Sequence, residues 1–328
     1  MPEPIGSLIR DLSGKDRTRR AAAEDSLVAL GPQVVDYLLP LLRDGRPRGL
    51  RLRAESVLSR LGDEALPRLR EIRCHGPGHL RSSALRVIAD VRGEQGLGFV
   101  DRRAVERLVR VKLLSERPVM LPPESRWMAF PAVQLDAVVS ALGLRDLRAA
   151  TTVMGLAATE AATAHDAMEI ETPHGKKETV YRVFITPRFG NWRLLYGNSF
   201  LDALGGDYLT EKASRQRGEA HFYSIDTYHD THAWCVARNG HVVRHHATWG
   251  EPEWEGEALP FEVDYLEGRT WIDPSQIGTR GVIDANVAAR HLSVDVGFML
   301  ESETHGHGWL ATTSPESPNS HFKGALPI

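Results

Sequence analysis

The chain has 328 residues, 42% of them hydrophobic and 25% charged, with a formal net charge of −3. That is the composition of a water-soluble globular protein, and the length suits two domains better than one. It excludes a membrane-spanning helix, because no run approaches the ~20 apolar residues needed, and the two cysteines, Cys74 and Cys235, exclude a disulfide framework.

Residues 1–97 read as a helical repeat array. Setting RRAAAEDSLVALGPQVVDYLLPLLRDG over RLRAESVLSRLGDEALPRLREIRCHG brings Ala23 onto Ala54, Leu27 onto Leu58, Leu30-Gly31 onto Leu61-Gly62, Val35 onto Leu66 and Leu38 onto Leu69. A third copy, HLRSSALRVIADVRG, repeats the first helix alone. Each unit is a helix, a glycine turn and a second helix, and no unit buries its apolar face without a neighbour.

From residue 98 the reading is one α+β domain with a mainly antiparallel sheet: a helix and linker over 98–124, a sheet region over 125–313 and a tail over 314–328. AVERLVRVKLLSE is a helix with Val105, Leu108 and Val109 near one face, and RPVMLPPE breaks it. SRWMAF is a strand, and PAVQLDAVVSALGLRD is a helix turning Leu135, Val138, Val139 and Leu142 inward. Thr151–Leu156 favours strand, whereas the alanines beyond favour helix.

YRVFITP and NWRLLYGN are strands. Tyr181, Val183 and Ile185 alternate with Arg182 and Phe184, and apolar groups on both faces mark a covered central strand. A helical stretch over 201–217 is weakened at Gly205-Gly206. EAHFYSID and HAWCVARNG follow, and Asn239-Gly240 predicts a hairpin into HVVRHHAT. The stretch after the hairpin, rich in Glu, Gly, Pro and Trp, reads as irregular. IDANVAARHLSVD is a short helix and GHGWLATT a last strand.

The Arg-x-Ala…Leu-Gly pattern of the first third resembles HEAT-like repeats of the phycobilisome-lyase type. The resemblance implies an α-helical solenoid, and such arrays serve as scaffolds, as lyase subunits and occasionally as DNA-repair glycosylases. Residues 125–313, with Trp192-x-Leu194-x-x-Gly197, the EAHFYSID…HAWCVARNGHVVR block and VAARHLSVD…GHGWLA, resemble an uncharacterised family of high-GC bacterial proteins. That second resemblance implies fold and no chemistry.

Ten of the fourteen histidines lie from His221 onward. Asp226, His229, Asp230 and His232 form the one cluster with the residue types of an enzyme site, and His229 with His232 is the candidate metal pair. No HExxH helix, Cys-x-x-Cys pair, nucleophile elbow or phosphate loop accompanies it. Cys235, mid-strand, reads as a buried inert thiol.

Two binding surfaces stand beside that cluster. Arg46, Arg48, Arg51 and Arg53 crowd one repeat junction, where they serve an acidic protein surface or nucleic acid phosphates. Trp249, Trp254 and Trp271 alternate with Glu251, Glu253, Glu255 and Glu257, which fits a peptide-binding loop or anchors for that loop. Residues 1–117 carry a net +7 and the remainder −10. The expectation is a cytoplasmic, non-catalytic adaptor with a protein or peptide partner, no cofactor and no membrane. An enzyme at 226–232 and a nucleic-acid binder through the arginines are the alternatives.

Overall fold

The computed structural model describes residues 3–43, 45–114, 116, 120–160, 165–172, 175–249, 253–262, 284–297 and 304–324. The chain divides into two compact units, residues 1–106 with 323–327, and residues 107–322.

The first unit is helical. Its helices are α1 (Glu3–Ser13), α2 (Arg17–Ala29), α3 (Val35–Leu38), α4 (Arg48–Leu61), α5 (Leu66–His75), α6 (Gly78–Arg92) and the start of α7 (Phe99–Leu113). Asp16 caps α2 by accepting from the amides of Thr18 and Arg19, and prolines 47 and 77 precede α4 and α6. Gly31, Gly62 and Gly93 follow the ends of α2, α4 and α6 with φ of 75°, 58° and 63°. That conformation is easy only for glycine, and its recurrence sets the period. The helix read from AVERLVRVKLLSE is present as α7, after the third of these glycines.

Apolar positions of the repeats are buried where the alignment pairs them: Ala23 with Ala54, Leu27 with Leu58, Val35 with Leu66 and Leu38 with Leu69. Arginines join successive repeats at the surface. Arg60 pairs with Asp25 at 2.7 Å, Arg68 with Asp36 at 2.9 Å, Arg86 with Glu55 at 3.1 Å and Arg73 with Asp101 at 2.6 Å, and Arg92 pairs with Asp63. The more exposed of these pairs are worth ~0–1 kcal/mol each, so the buried apolar side chains contribute more to holding the helices together.

The second unit is built on β1 (Arg126–Pro131), α8 (Leu135–Leu142), β2 (Arg145–Ala150), α9 (Thr152–Ala158), β3 (Ala167–Glu171), β4 (Lys177–Ile185), β5 (Arg188–Phe189) and β6 (Trp192–Tyr196). Then come α10 (Asn198–Leu204), α11 (Gly206–Ala213), β7 (Glu219–Asp226), β8 (Thr231–Arg238), β9 (His241–Ala247), β10 (Glu253–Gly256), α12 (Ala285–Leu292), β11 (Thr304–His305) and β12 (Gly308–Thr312). The sheet runs β10-β9-β8-β7-β1-β6-β4-β12-β2, with β3, β5 and β11 off that path, and its pairings are antiparallel.

One face of the sheet carries Met128, Phe130, Val183, Ile185, Leu195, Phe222 and Cys235, packed on Val138, Phe200, Leu201 and Leu209 of α8, α10 and α11. The expected break at Gly205 separates α10 from α11, and Asn239 and Gly240 take the positive φ of the hairpin turn. Two local readings are corrected. Thr151–Leu156 is not a strand, because the Thr151 hydroxyl accepts from the Met154 amide and starts α9. The stretch after the hairpin is not wholly irregular, because Glu253–Gly256 adds β10 beside β9.

Candidate functional site

Strand alternation leaves a second set of side chains on the opposite face of the sheet. Register then aligns them. Phe184 stands beside Tyr196, Tyr196 beside Trp127, Trp127 beside Tyr223, Tyr223 beside Trp234, Trp234 beside His246, and His246 beside Trp254. Seven rings thus cross seven neighbouring strands in one row. Trp127 stacks on Tyr223 with ring centroids 5.3 Å apart, and His246 stacks on Trp254 at 3.7 Å. Cross-strand aromatic neighbours of this kind stabilise the sheet by ~0.2–1 kcal/mol per pair.

One end of the row is covered and the other folds over its neighbours. Gly155 of α9 lies against Phe184 so closely that a Cβ there would overlap the ring. At the other end Trp254 lies over both His246 and Arg244, the latter with its guanidinium carbon 4.5 Å from the ring centroid. Arg244 also donates to both Glu262 carboxylate oxygens, at 3.0 and 2.7 Å, and to the carbonyl of Gly256 at 2.7 Å.

Beside the row is a buried polar chain. The Ser293 hydroxyl lies 3.0 Å from Tyr223 Oη, which lies 3.1 Å from His221 Nδ1, and His221 Nε2 lies 3.1 Å from Glu219. A carboxylate only accepts, so Nε2 carries the proton and donates. The His221 hydrogen bond holds the Glu219 carboxyl down to about 2, while burial disfavours the charged form of His221. Both rings are buried, so the chain acts as an internal strut.

A cavity lies beside Tyr196, next to the Phe184 end of the row. It measures about 540 Å³ and is lined by Met120, Leu121, Pro122, Pro123, Leu156, Ala157 and Tyr196, with Glu124, Ser125, Thr159, Glu160 and Asn198. Tyr196 is 3% exposed, yet its hydroxyl has no hydrogen-bond partner. Burial raises its pKa, so the phenol is neutral. Most buried polar groups are satisfied, and an orphan hydroxyl at a cavity wall is the most ligand-like feature of this unit. The indole nitrogen of Trp127, next in the row, is unpartnered as well.

The residues singled out from sequence are dispersed. Asp226 accepts from the amides of Tyr228 and His229 at 3.0 and 3.2 Å, and from His229 Nδ1 at 2.8 Å, which closes the β7–β8 turn. Asp230 sits on that turn with φ 52°. His232 instead enters β8 opposite Ile225 and lies 5.3 Å, centroid to centroid, from His246. Among the described residues no three His, Cys, Asp or Glu side chains stand close enough to hold a metal ion. Cys235 is buried and its thiol is pushed up by that burial.

Trp249 is 54% exposed. It borders a smaller cavity of about 210 Å³ with Arg126, Asp202, Asp207 and His245, whereas Trp254 is the strand residue described above. Trp271 and Glu251 lie outside the described residues. Arg46 and Arg48 are exposed at the start of α4, with Arg51 and Arg53 half-buried behind them.

In α7, Val105 and Val109 are buried, but Leu108, expected beside them, is exposed. Val100, Leu108 and Val111, at 77%, 44% and 56% exposure, recur with the half-buried Ala104 at helical spacing on a second face. Arg103, Arg107 and Arg110 run alongside that face and are exposed. Sequence reading missed both this stripe and the aromatic row. The stripe hides in a helix apolar on two sides, and the row exists only once strands distant in sequence have paired.

The architecture is a helical unit followed by a large antiparallel sheet unit. Among solved structures the chain is similar to one in the complex of CpcE and CpcF of phycocyanin lyase from Nostoc sp. PCC7120, at 25% identity and a TM-score of 0.21, over 34% of this chain and 69% of that chain. No family model and no curated protein matches the chain.

Proposed function

We propose that the chain is a non-catalytic adaptor or regulator: a HEAT-like array joined to an antiparallel sheet domain, recognising an acidic amphipathic helix of a protein partner. The outer face of α7 carries this reading. A surface helix ordinarily has one apolar stripe facing its core. This one has a second, through Val100, Ala104, Leu108 and Val111, bordered by Arg103, Arg107 and Arg110. Contiguous exposed apolar groups rimmed by charge fit a recognition surface, and a basic rim selects an acidic partner. The array reading is supported by the recurrence of Gly31, Gly62 and Gly93 at positive φ and by the arginine pairs between repeats. Arg46 and Arg48 add positive charge for the same kind of partner.

The test is selection from a displayed library of designed helices on the full chain. Acidic amphipathic helices are the expected winners, and Leu108→Glu and Val111→Glu are expected to abolish their binding. If no helix is enriched, or the winners bind both variants undiminished, the reading fails. Duplex DNA is assayed in parallel. Tight binding with a steep salt slope, lost on replacing Arg46, Arg48, Arg51 and Arg53 with Ser, would put nucleic acid in the partner's place.

A further inference from the structure

The cavity beside Tyr196 carries an inference that does not depend on the adaptor reading. We infer that it binds a small molecule with an uncharged apolar body and a carbonyl head, the carbonyl oxygen accepting a hydrogen bond from the Tyr196 hydroxyl.

Size and lining set the body of the ligand. About 540 Å³ is in the range of sites that enclose small organic molecules. Leu121, Pro122, Leu156 and Ala157 offer that body carbon surface and no polar competition. Covering carbon walls of this kind favours an apolar occupant over water.

Two observations set the head. The Tyr196 hydroxyl is buried with its hydrogen-bonding capacity unused, and burial keeps it a neutral phenol and so a donor. A ligand oxygen that accepts from it removes a standing desolvation penalty as well as forming a bond. Sign of charge follows from the described lining, which includes the Glu124 and Glu160 side chains. A carboxylate or phosphate head would be placed beside the Glu124 carboxylate, at a cost that an uncharged head does not meet. Amides, esters, ketones and lactones avoid that cost.

The probes are decanamide and decanoate, which share a chain and differ in the head, titrated calorimetrically into the full chain at neutral pH. Decanamide is expected to bind saturably, with a Kd on the order of 100 µM or tighter, and decanoate at least about tenfold more weakly. Tyr196→Phe, which keeps the ring, is expected to weaken decanamide about tenfold. Leu156→Trp, which fills the cavity from the half-buried face of α9, is expected to abolish binding. The melting temperature of each variant shows whether it has folded, and two variants at separate positions keep the test alive if one does not. Three results overturn the inference: no saturable decanamide binding, equal affinity for decanoate, or undiminished decanamide binding in a folded variant of either position.

Discussion

Asp90 shows how a single side chain in a helix can govern the pH response of a repeat. It hydrogen-bonds the Glu55 carboxyl, and burial, reinforced by that neighbour, raises its pKa to about 8, against the opposing charge of Arg86. A carboxyl whose folded pKa is raised stabilises the fold fully below its unfolded pKa, near 4, and loses that contribution as pH climbs through the folded value. Urea unfolding of the helical unit is therefore expected to show stability falling between pH 4.5 and 8, and Asp90→Asn is expected to flatten that slope. A slope unchanged by the substitution would show that Asp90 is not its source. Gly155 gives a second expectation of the same grain. A methyl there would overlap the fully buried Phe184 ring, so Gly155→Ala is expected to destabilise by ~1–3 kcal/mol, read from the urea midpoint. Neither residue was legible in advance. Asp90 looks like any helical acid, and Gly155 lay in a stretch that its threonines made look extended.

Among the elements, β10 is tied to β9 by one arginine as well as by Trp254. Arg244 reaches from β9 to the carbonyl of Gly256 and to the buried Glu262 carboxylate. Removing one partner of a buried ion pair costs ~3–5 kcal/mol, chiefly because the other charge is stranded. Arg244→Met is accordingly expected to cost about that much, and amide exchange should show β10 released first. Arg244→Met with Glu262→Gln should recover part of the loss, since no buried charge remains; a double variant as unstable as the single one would contradict this account. Such elements differ in how far sequence discloses them. The β8–β9 hairpin was legible because Asn239-Gly240 is a local signal flanked by apolar residues. β2, Arg145–Ala150, was not, because an edge strand exposes charged side chains and needs no apolar alternation. β10 was hidden by its glutamates, and its place is set by Trp254 folding over β9.

At the scale of the molecule, the recognition proposed for α7 can be tested apart from stability. Leu108 and Val111 already meet solvent, so replacing either with Glu is expected to change stability by no more than ~0.5 kcal/mol while removing partner binding. A large drop in thermal midpoint would mean that the stripe is covered within the chain. The layout of helices followed by a sheet was readable from the 31-residue recurrence and from the change to strand alternation beyond it. What the strands assemble was not, since strand order is a property of pairing and no local window holds it.

The position of β12 bears on how the protein is made. Among the described residues β2 pairs in the sheet with β12 alone, and β12 is also the strand that joins it to β4. On the ribosome, β2 emerges well before that neighbour: residues 151–307 must follow, at ~5–20 residues per second, a wait of roughly 8–30 seconds. β1 waits less, until β6 and β7 flank it, but it does so with Trp127, Met128 and Phe130 uncovered. Until Gly308–Thr312 has been synthesised, the nascent sheet ends at β4 with an open edge, the kind that templates association between chains. A chain halted before Gly308 would thus lose more than the residues it lacks, since β2 and the free side of β4 would both be left without β12.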